Sequence, residues 1–383
     1  MKAWTTALVT AWLVAACSTV APEAGSSPDP TSDDSAAGPG DIGSLPAVAT
    51  PAVRPAIAVG PGPGGPVARA RAETDAKPTV EVAPDPLEAV VAKLRVLEAD
   101  PAPERTTNDK HYIVSNERRL DLYRPEIDDR GGIILGVGSD QNYLMAAWAK
   151  AELLVVVDFD QQVVDLHTVH GALMAASATV EDFRRMWTEG GLDDAHAAVR
   201  AAVDGRRRGV ELVALYDEAR PVVEKRLRKL ARRYEELGVH SYLDTPEHYR
   251  YIADLHARGR VVAVRGDFTL DGVLRDVAEV LDEHEQSLSV LYLSNIEQYF
   301  TYKRPFKDNM LALPLAADAM VLRTLPGKPA GFQYILQRGE DFQAWMKAPR
   351  VWSVYAIRGL IKGEHLVAGE RFMAGAPPQR ARG

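Results

Sequence analysis

The sequence predicts an α/β domain with a mainly parallel sheet of seven strands, preceded by a long segment with no core of its own. Three observations carry that prediction. From residue 132 onward, short runs rich in Val, Ile and Leu alternate with stretches of helical spacing, as strands buried on both faces do in parallel sheets. The first run ends in a glycine turn and the next ends in an acid. No aromatic residue occurs between Cys17 and His111, so the chain before the domain lacks the side chains that build cores.

Composition narrows the class. The chain has 383 residues, 46% hydrophobic and 26% charged, which suits one large domain or two small ones. A formal net charge of -8 argues against a dedicated nucleic-acid binder. The single cysteine excludes an internal disulfide framework and a cysteine-based zinc site. No apolar run reaches the roughly 18 residues of a membrane-spanning helix.

In chain order, Met1-Lys2 and the apolar stretch Ala3 to Ala16 have the length of a secretory signal, predicted over 1–16. Leu13-Val14-Ala15-Ala16-Cys17 resembles the lipobox of bacterial lipoproteins, in which the cysteine is lipidated after cleavage. That resemblance implies membrane attachment through Cys17 and a place in the cell envelope. Ser18 after the cysteine, rather than Asp, favours the outer membrane over the inner. Residues 17–86, rich in Pro, Gly, Ala, Ser and Asp, read as a disordered tether. Leu87 to Ala99 has helical spacing and opens a short helix and linker, 87–104, before a domain over 105–383.

Within the domain, Gly132–Gly138 and Leu153–Asp158 flank a helical stretch, Asn142–Ala151. This is a strand, a glycine turn, a helix and a second strand, the βαβ unit of nucleotide-type folds. Further strands are expected at Arg260–Val264, Ser287–Leu293, Ala319–Arg323, Phe332–Leu336 and Val351–Ile357, with a helix over Leu270–Glu283. A helical insertion fills about 161–257. Its basic stretches, Arg206-Arg207-Arg208 and Arg226 to Arg233, read either as a solvated helix face balanced by nearby acids or as a contact for anionic lipid or substrate.

The glycine turn sets the chemistry. Gly136 and Gly138 let backbone approach a ligand and expose helix N-terminal amides. Asp158, or Asp160, can accept hydrogen bonds from ribose hydroxyls, and it follows the turn at the expected spacing of about 20 residues. Asp140 and Asn142 either cap the helix or touch the ligand. Gln141 stands where a dinucleotide fold has its third glycine, which disfavours a pyrophosphate. A tight turn that binds nothing remains the plain alternative.

The segment from about Tyr112 to Ile357 resembles a class I S-adenosylmethionine-dependent methyltransferase core, a Rossmann-like fold, through Gly136-x-Gly138, Asp158, Gly266-Asp267 and Ser294-Asn295-Ile296-Glu297-Gln298-Tyr299. It is similar also to an uncharacterised bacterial lipoprotein family carrying GVGxDQNY, LLxxxDFDxxVVDLH, VRGD and LYLSNxEQYF. The resemblance implies S-adenosylmethionine as cofactor, with Asp267 at the adenine amino group and Ser294, Asn295 and Tyr299 facing the transferred methyl group. It tolerates Gln141. Ile134 stands where an acid often precedes the turn, and the insertion is unusual. Ser115-Asn116-Glu117 echoes Ser294-Asn295-x-Glu297, and Glu117 is the candidate general base.

His167 and His170 share a helix face near Asp158, Asp160 and Asp165, but no third metal ligand has standard spacing, and no metal is expected. Phe300 to Arg304 is too short for a nucleic-acid surface. Three functions follow: a methyltransferase-type enzyme, a non-catalytic domain binding a nucleoside-type small molecule, and an envelope scaffold with a protein partner. Export by a lipobox and a cofactor made in the cytosol pull against each other, so binding without catalysis stands level with transfer.

Overall fold

The structure is a computed structural model that describes residues 85–106, 110–203, 205–358 and 366–378. The expected signal peptide 1–16, Cys17 and nearly all of the tether therefore lie outside the described residues. Among the described residues no helix is long and apolar enough to cross a membrane.

Helix α1, Pro86–Leu94, starts at Asp85, whose carboxylate accepts from Leu87 N at 3.0 Å, the usual device for an unpaired N-terminal amide. Leu87, Val90, Val91 and Leu94 are buried against the sheet, so this helix is part of the packed body. A short turn, α2 (Arg124–Ile127), precedes strand β1, Ile133–Gly136. Next come α3 (Gln141–Ala149) and β2 (Leu153–Asp158). Every residue of these three elements is buried, which explains why the apolar runs are continuous rather than alternating.

The crossover from β2 to β3 (Val261–Arg265) holds five helices: α4 (Gln161–Ala175), α5 (Val180–Met186), α6 (Leu192–Ala201), α7 (Arg206–Glu236) and α8 (Pro246–Ala257). Helix α4 packs on β2 and β3 as the βαβ connection requires, and α6, α7 and α8 stack on α4. The remaining elements are α9 (Val273–Glu283), β4 (Leu288–Ser294), α10 (Arg304–Ala312), β5 (Leu315–Gly327), β6 (Gly331–Arg338), α11 (Gly339–Lys347), α12 (Val354–Arg358) and β7 (Arg371–Ala374).

The sheet order is β3-β2-β1-β4-β5-β6-β7. The first five strands are parallel, β6 returns antiparallel to β5, and β7 runs parallel to β6. Adjacent residues of each strand face opposite layers. Ile134, Leu154, Val156, Val290 and Tyr292 join α3 to α8 in one core. Ile133, Leu135, Val155, Val157 and Leu291 join α1, α9, α10 and α11 in the other. The result is a three-layer α/β sandwich with seven strands, as expected.

One strand is misplaced by the sequence reading. Val351–Ile357 is not a strand, because its buried residues Val351, Val354 and Ile357 recur every third position while Trp352 and Tyr355 are exposed. That is helical spacing, and α12 forms there. The seventh strand is β7, which completes the edge beside β6.

Candidate functional site

Between β1 and β4 the strand order changes direction, and a cleft opens there at the carboxyl ends of the strands. Val137, Gly138 and Gln141 line it from the β1 turn; Asp158, Phe159 and Asp160 from β2; Ser294, Asn295, Ile296 and Tyr299 from β4. Tyr112, Val114, Ser115 and Asn116 cross over it. This cavity holds about 120 Å³. An adjoining one of about 250 Å³ shares Val137, Phe159, Ile296 and Tyr299 and reaches Gly266 and Asp267 after β3. Together they come to the lower end of the roughly 300–1,000 Å³ of small-molecule sites.

The turn is built by short contacts. Gly138 has φ +90°, and a Cβ there would lie 2.1 Å from Gln141 Nε2; at Gly136 it would lie 2.0 Å from Asn142 Oδ1. Both glycines are thus needed by neighbouring side chains of this chain. Gly138 N–H donates to Asp158 Oδ2 at 3.1 Å, and Ser139 N–H donates to Gln141 Oε1 at 3.0 Å. Two amides expected to face a ligand are therefore satisfied within the protein. Asn142 Nδ2 donates to the carbonyls of Val137 and Ser139, both at 3.1 Å. Asn142 thus ties the turn and is fully buried, away from the cleft.

Asp140 stands at the N-cap of α3 without a side-chain capping bond and does not line the cleft. Its carboxylate, 2% exposed, pairs with Arg226 Nε of α7 at 3.1 Å. The insertion therefore pins the turn from behind. His167 supports the same turn: burial pushes its pKa down to about 4, so the ring is neutral at pH 7. It donates from Nε2 to Gly138 O at 3.0 Å, which leaves Nδ1 to accept from the Tyr143 hydroxyl at 2.7 Å.

The acids are held with equal economy. Asp158 Oδ1 accepts from Asp160 N–H at 2.9 Å. Burial pushes the Asp158 pKa up to about 7, against the pull of the Asp160 and Gly138 amides. Asp160 caps α4, accepting from Gln162 N at 3.0 Å, and its other oxygen meets His111 Nδ1 at 2.7 Å. Asp267 accepts from Thr269 N and Oγ1 at 2.8 and 2.7 Å and lines the adjoining cavity.

Glu117 does not face the cleft. It is 1% exposed, and four hydroxyls converge on it: Tyr292 and Ser115 on Oε2, Thr324 at 2.6 Å and Ser294 at 3.1 Å on Oε1. A carboxylate accepting four hydroxyls has no lone pair directed at a substrate, so its position corrects the general-base expectation to an anchoring role. It holds Ser294, a non-glycine residue at φ +48°, in the left-handed backbone that ends β4. Asn295 and Tyr299 do reach the cleft. Tyr299 is 57% exposed, and burial of its remaining surface, then neighbouring Tyr112, shifts its phenol upward. It is a donor at neutral pH rather than a base.

Of the expected residues, the cleft collects Gly138, Gln141, Asp158, Asp160, Ser294, Asn295 and Tyr299, with Asp267 next door. Gly136, Asp140, Asn142 and Glu117 support it from outside. Sequence reasoning missed Phe159 and Ile296, the apolar walls of both cavities. The signal was available: each is an apolar residue one or two places past a buried strand, where side chains border a switch-point crevice.

Among the described residues no group of three or more His, Cys, Asp or Glu side chains is placed to hold a metal ion. A search of curated proteins finds no match. Residues 112–366 match the family described as "Domain of unknown function (DUF7790)", a span that runs from the segment over the cleft through α12 and stops short of β7. More than half of the sequence lies within that match, and the chain therefore belongs to this family.

Proposed function

We propose that the domain binds a nucleoside-type small molecule, S-adenosylmethionine or a relative of it, in the cleft between β1 and β4. The observation that carries the reading is the cleft's place at the switch point of an open α/β sheet, where ligands of such folds bind. Phe159, Ile296 and Val137 offer a slot for a planar base with Asp267 at its far end. Asp158 and Asp160 stand where ribose hydroxyls would be met. The nucleoside half fits these residues. The amino-acid half meets a turn whose amides are already engaged by Asp158 and Gln141, which favours binding without catalysis. Methyl transfer is the second reading, supported by Asn295 and Tyr299 at the open mouth, where they would position a nucleophile.

Calorimetric titration of the chain with S-adenosylmethionine, S-adenosylhomocysteine and adenosine tests this, beside an Ile296→Trp variant that fills the slot. Micromolar binding lost in the variant is the expected result. No heat and no thermal stabilisation at millimolar ligand refutes the reading, since saturation at about 100 times the dissociation constant stabilises by about 2.7 kcal/mol. Appearance of S-adenosylhomocysteine from the bound cofactor would favour transfer.

We further propose that Cys17 is lipidated and holds the domain at the cell envelope, the outer membrane by the Ser18 reading, where an envelope protein is a candidate partner. Detergent-phase partitioning lost in Cys17→Ser is the expected outcome; unchanged partitioning refutes it.

A further inference from the structure

We infer that the groove between residues 114–118 and the second half of α7 binds a phosphoryl group, so that the ligand served by this domain includes a phosphorylated molecule. As a statement about substrate it rests on the cleft reading; as a statement about anion binding it stands alone.

The groove holds about 450 Å³ and is lined by Arg118, Lys225, Arg226, Lys229, Arg232 and Arg233. Acids neutralise only two of them, Arg226 through Asp140 and Arg232 through Glu236, and leave Arg118, Lys225, Lys229 and Arg233. Glu117 is turned inward onto four hydroxyls, and Glu236 pairs with Arg232 at 3.5 Å. The outer faces of α7 behave differently: Arg207 meets Glu211, Arg208 meets Asp165, Arg220 meets Glu189 and Arg228 meets Glu224. The solvated, balanced face expected from the sequence therefore describes the rest of α7. Lys225, Lys229 and Arg233 form one stripe at i, i+4 and i+8. Neither they nor Arg118 have an ion-pair partner among the described residues. In a chain of net charge -8 this is a local concentration of positive charge that composition does not supply by default.

A second observation is independent of the stripe. Arg226 is 10% exposed; its Nε meets Asp140, and Nη1 points to Glu117 O at 3.4 Å. Its Nη2 is buried and has no partner. That buried atom does not reach the groove, but Arg226 lines it with its remaining surface and adds a fixed positive charge behind the stripe. Arginine forks beside lysine point charges match the geometry and charge of a phosphoryl group.

Position links groove and cleft. Asn116 lines both, and it lines a third trough with Arg118, Arg233, Asn295 and Tyr299. A phosphoryl group seated in the groove would leave the rest of its molecule directed at Asn295 and Tyr299. A single-stranded nucleic acid is disfavoured, because stacking aromatics interleaved with the charge are missing from the lining.

The test is calorimetry of the full chain with inorganic pyrophosphate at low and high salt, without nucleoside. The groove variant Lys229→Glu/Arg233→Glu is compared with Arg207→Glu/Arg228→Glu, which changes charge equally on the outer faces of α7. All four residues are at least partly exposed, and thermal melts check that both variants fold. The groove variant is expected to weaken binding at least about tenfold and the control no more than about threefold. No binding, or equal loss in both variants, overturns the proposal. Flotation on phosphatidylglycerol and phosphatidylcholine vesicles separates sources. Groove-dependent flotation on the anionic vesicles alone assigns a lipid headgroup, and pyrophosphate binding without flotation assigns a soluble phosphorylated ligand. Pyrophosphate binding retained in Ile296→Trp, with nucleoside binding absent from the parent, would sink the cleft reading and leave the groove standing.

Discussion

Glu117→Gln separates an anchor from a catalytic base. The amide keeps one acceptor oxygen, enough for Thr324 and Ser294, and turns two donor hydrogens toward Tyr292 and Ser115. Both hydroxyls can rotate to accept, but the Tyr292 hydroxyl is fully buried and its proton loses its acceptor. Hydrogen bonds to a charged group contribute about 1.5–3 kcal/mol each, and a buried unsatisfied donor costs about 1–3 kcal/mol. With partial recovery by rotation, a net loss of about 2–4 kcal/mol is expected. At roughly 2–4 °C per kcal/mol for a domain of this size, Tm falls by about 5–10 °C. Urea denaturation gives the free energy and a thermal melt gives Tm. Tyr292→Phe removes the stranded proton, so the double variant should recover at least about 1 kcal/mol relative to additivity. Nucleoside binding measured at 15 °C should stay within about threefold. A variant with unchanged Tm but lost binding or transfer would refute the anchoring role and restore the base.

Other perturbations address the turn, the buried pair and pH. Gly138→Ala places a Cβ at a left-handed φ and against Gln141; a loss of about 1–2 kcal/mol and altered nucleoside affinity are expected, and an unchanged melt contradicts the turn geometry. Arg323 and Glu297, each 1% exposed, pair at 3.3 Å. Arg323→Met should cost about 3–5 kcal/mol and adding Glu297→Gln should restore most of it; additive losses in urea titrations would count against the pairing. His167 and His256 are held by burial at about 4 and about 3, and His170 well below its ordinary value. The unfolded chain therefore binds more protons between pH 6.5 and 4, and stability is lost as pH falls through that window. Asp158, raised to about 7, acts oppositely: its contribution is full below about pH 4 and is lost as pH rises through 7. Three imidazoles outweigh one carboxyl, so the urea midpoint should be lower at pH 5 than at pH 7, with a smaller difference in His170→Phe. Equal midpoints in the parent chain would refute the neutral histidine cluster.

The inner strands were legible because burial on both faces leaves only apolar residues, as in Leu153 to Val157, and the glycine turn was legible because no other residue fits between Asn142 and Gln141. The cleft followed from those two features and the acid at Asp158. What stayed hidden is set by contacts distant in sequence. Asp140 finds Arg226, 86 residues on, and Glu117 finds Thr324, 207 residues on; each reads in isolation as a free polar residue near a turn. Val351 to Ile357 misled because valine, tryptophan and tyrosine favour strands, while the side on which its residues are buried favours a helix. The expectations about Cys17 and the tether rest on residues the structure does not describe.

The course of residues 85–100 has a mechanical consequence. Asp85 is clasped by Arg260, just before β3 begins, whereas Asp100 accepts from Asp267 N–H and Val273 N–H just beyond the end of that strand. The chain thus joins the domain at the amino end of the sheet, and the cleft opens at the carboxyl end. Tension applied through residue 85 would load Arg260 and the β3 edge first, and α1 would peel away before the load reached Gly138 or Asn295. A pull on residue 85 would thus reach the cleft last, because the chain enters the described body at the opposite end of the sheet.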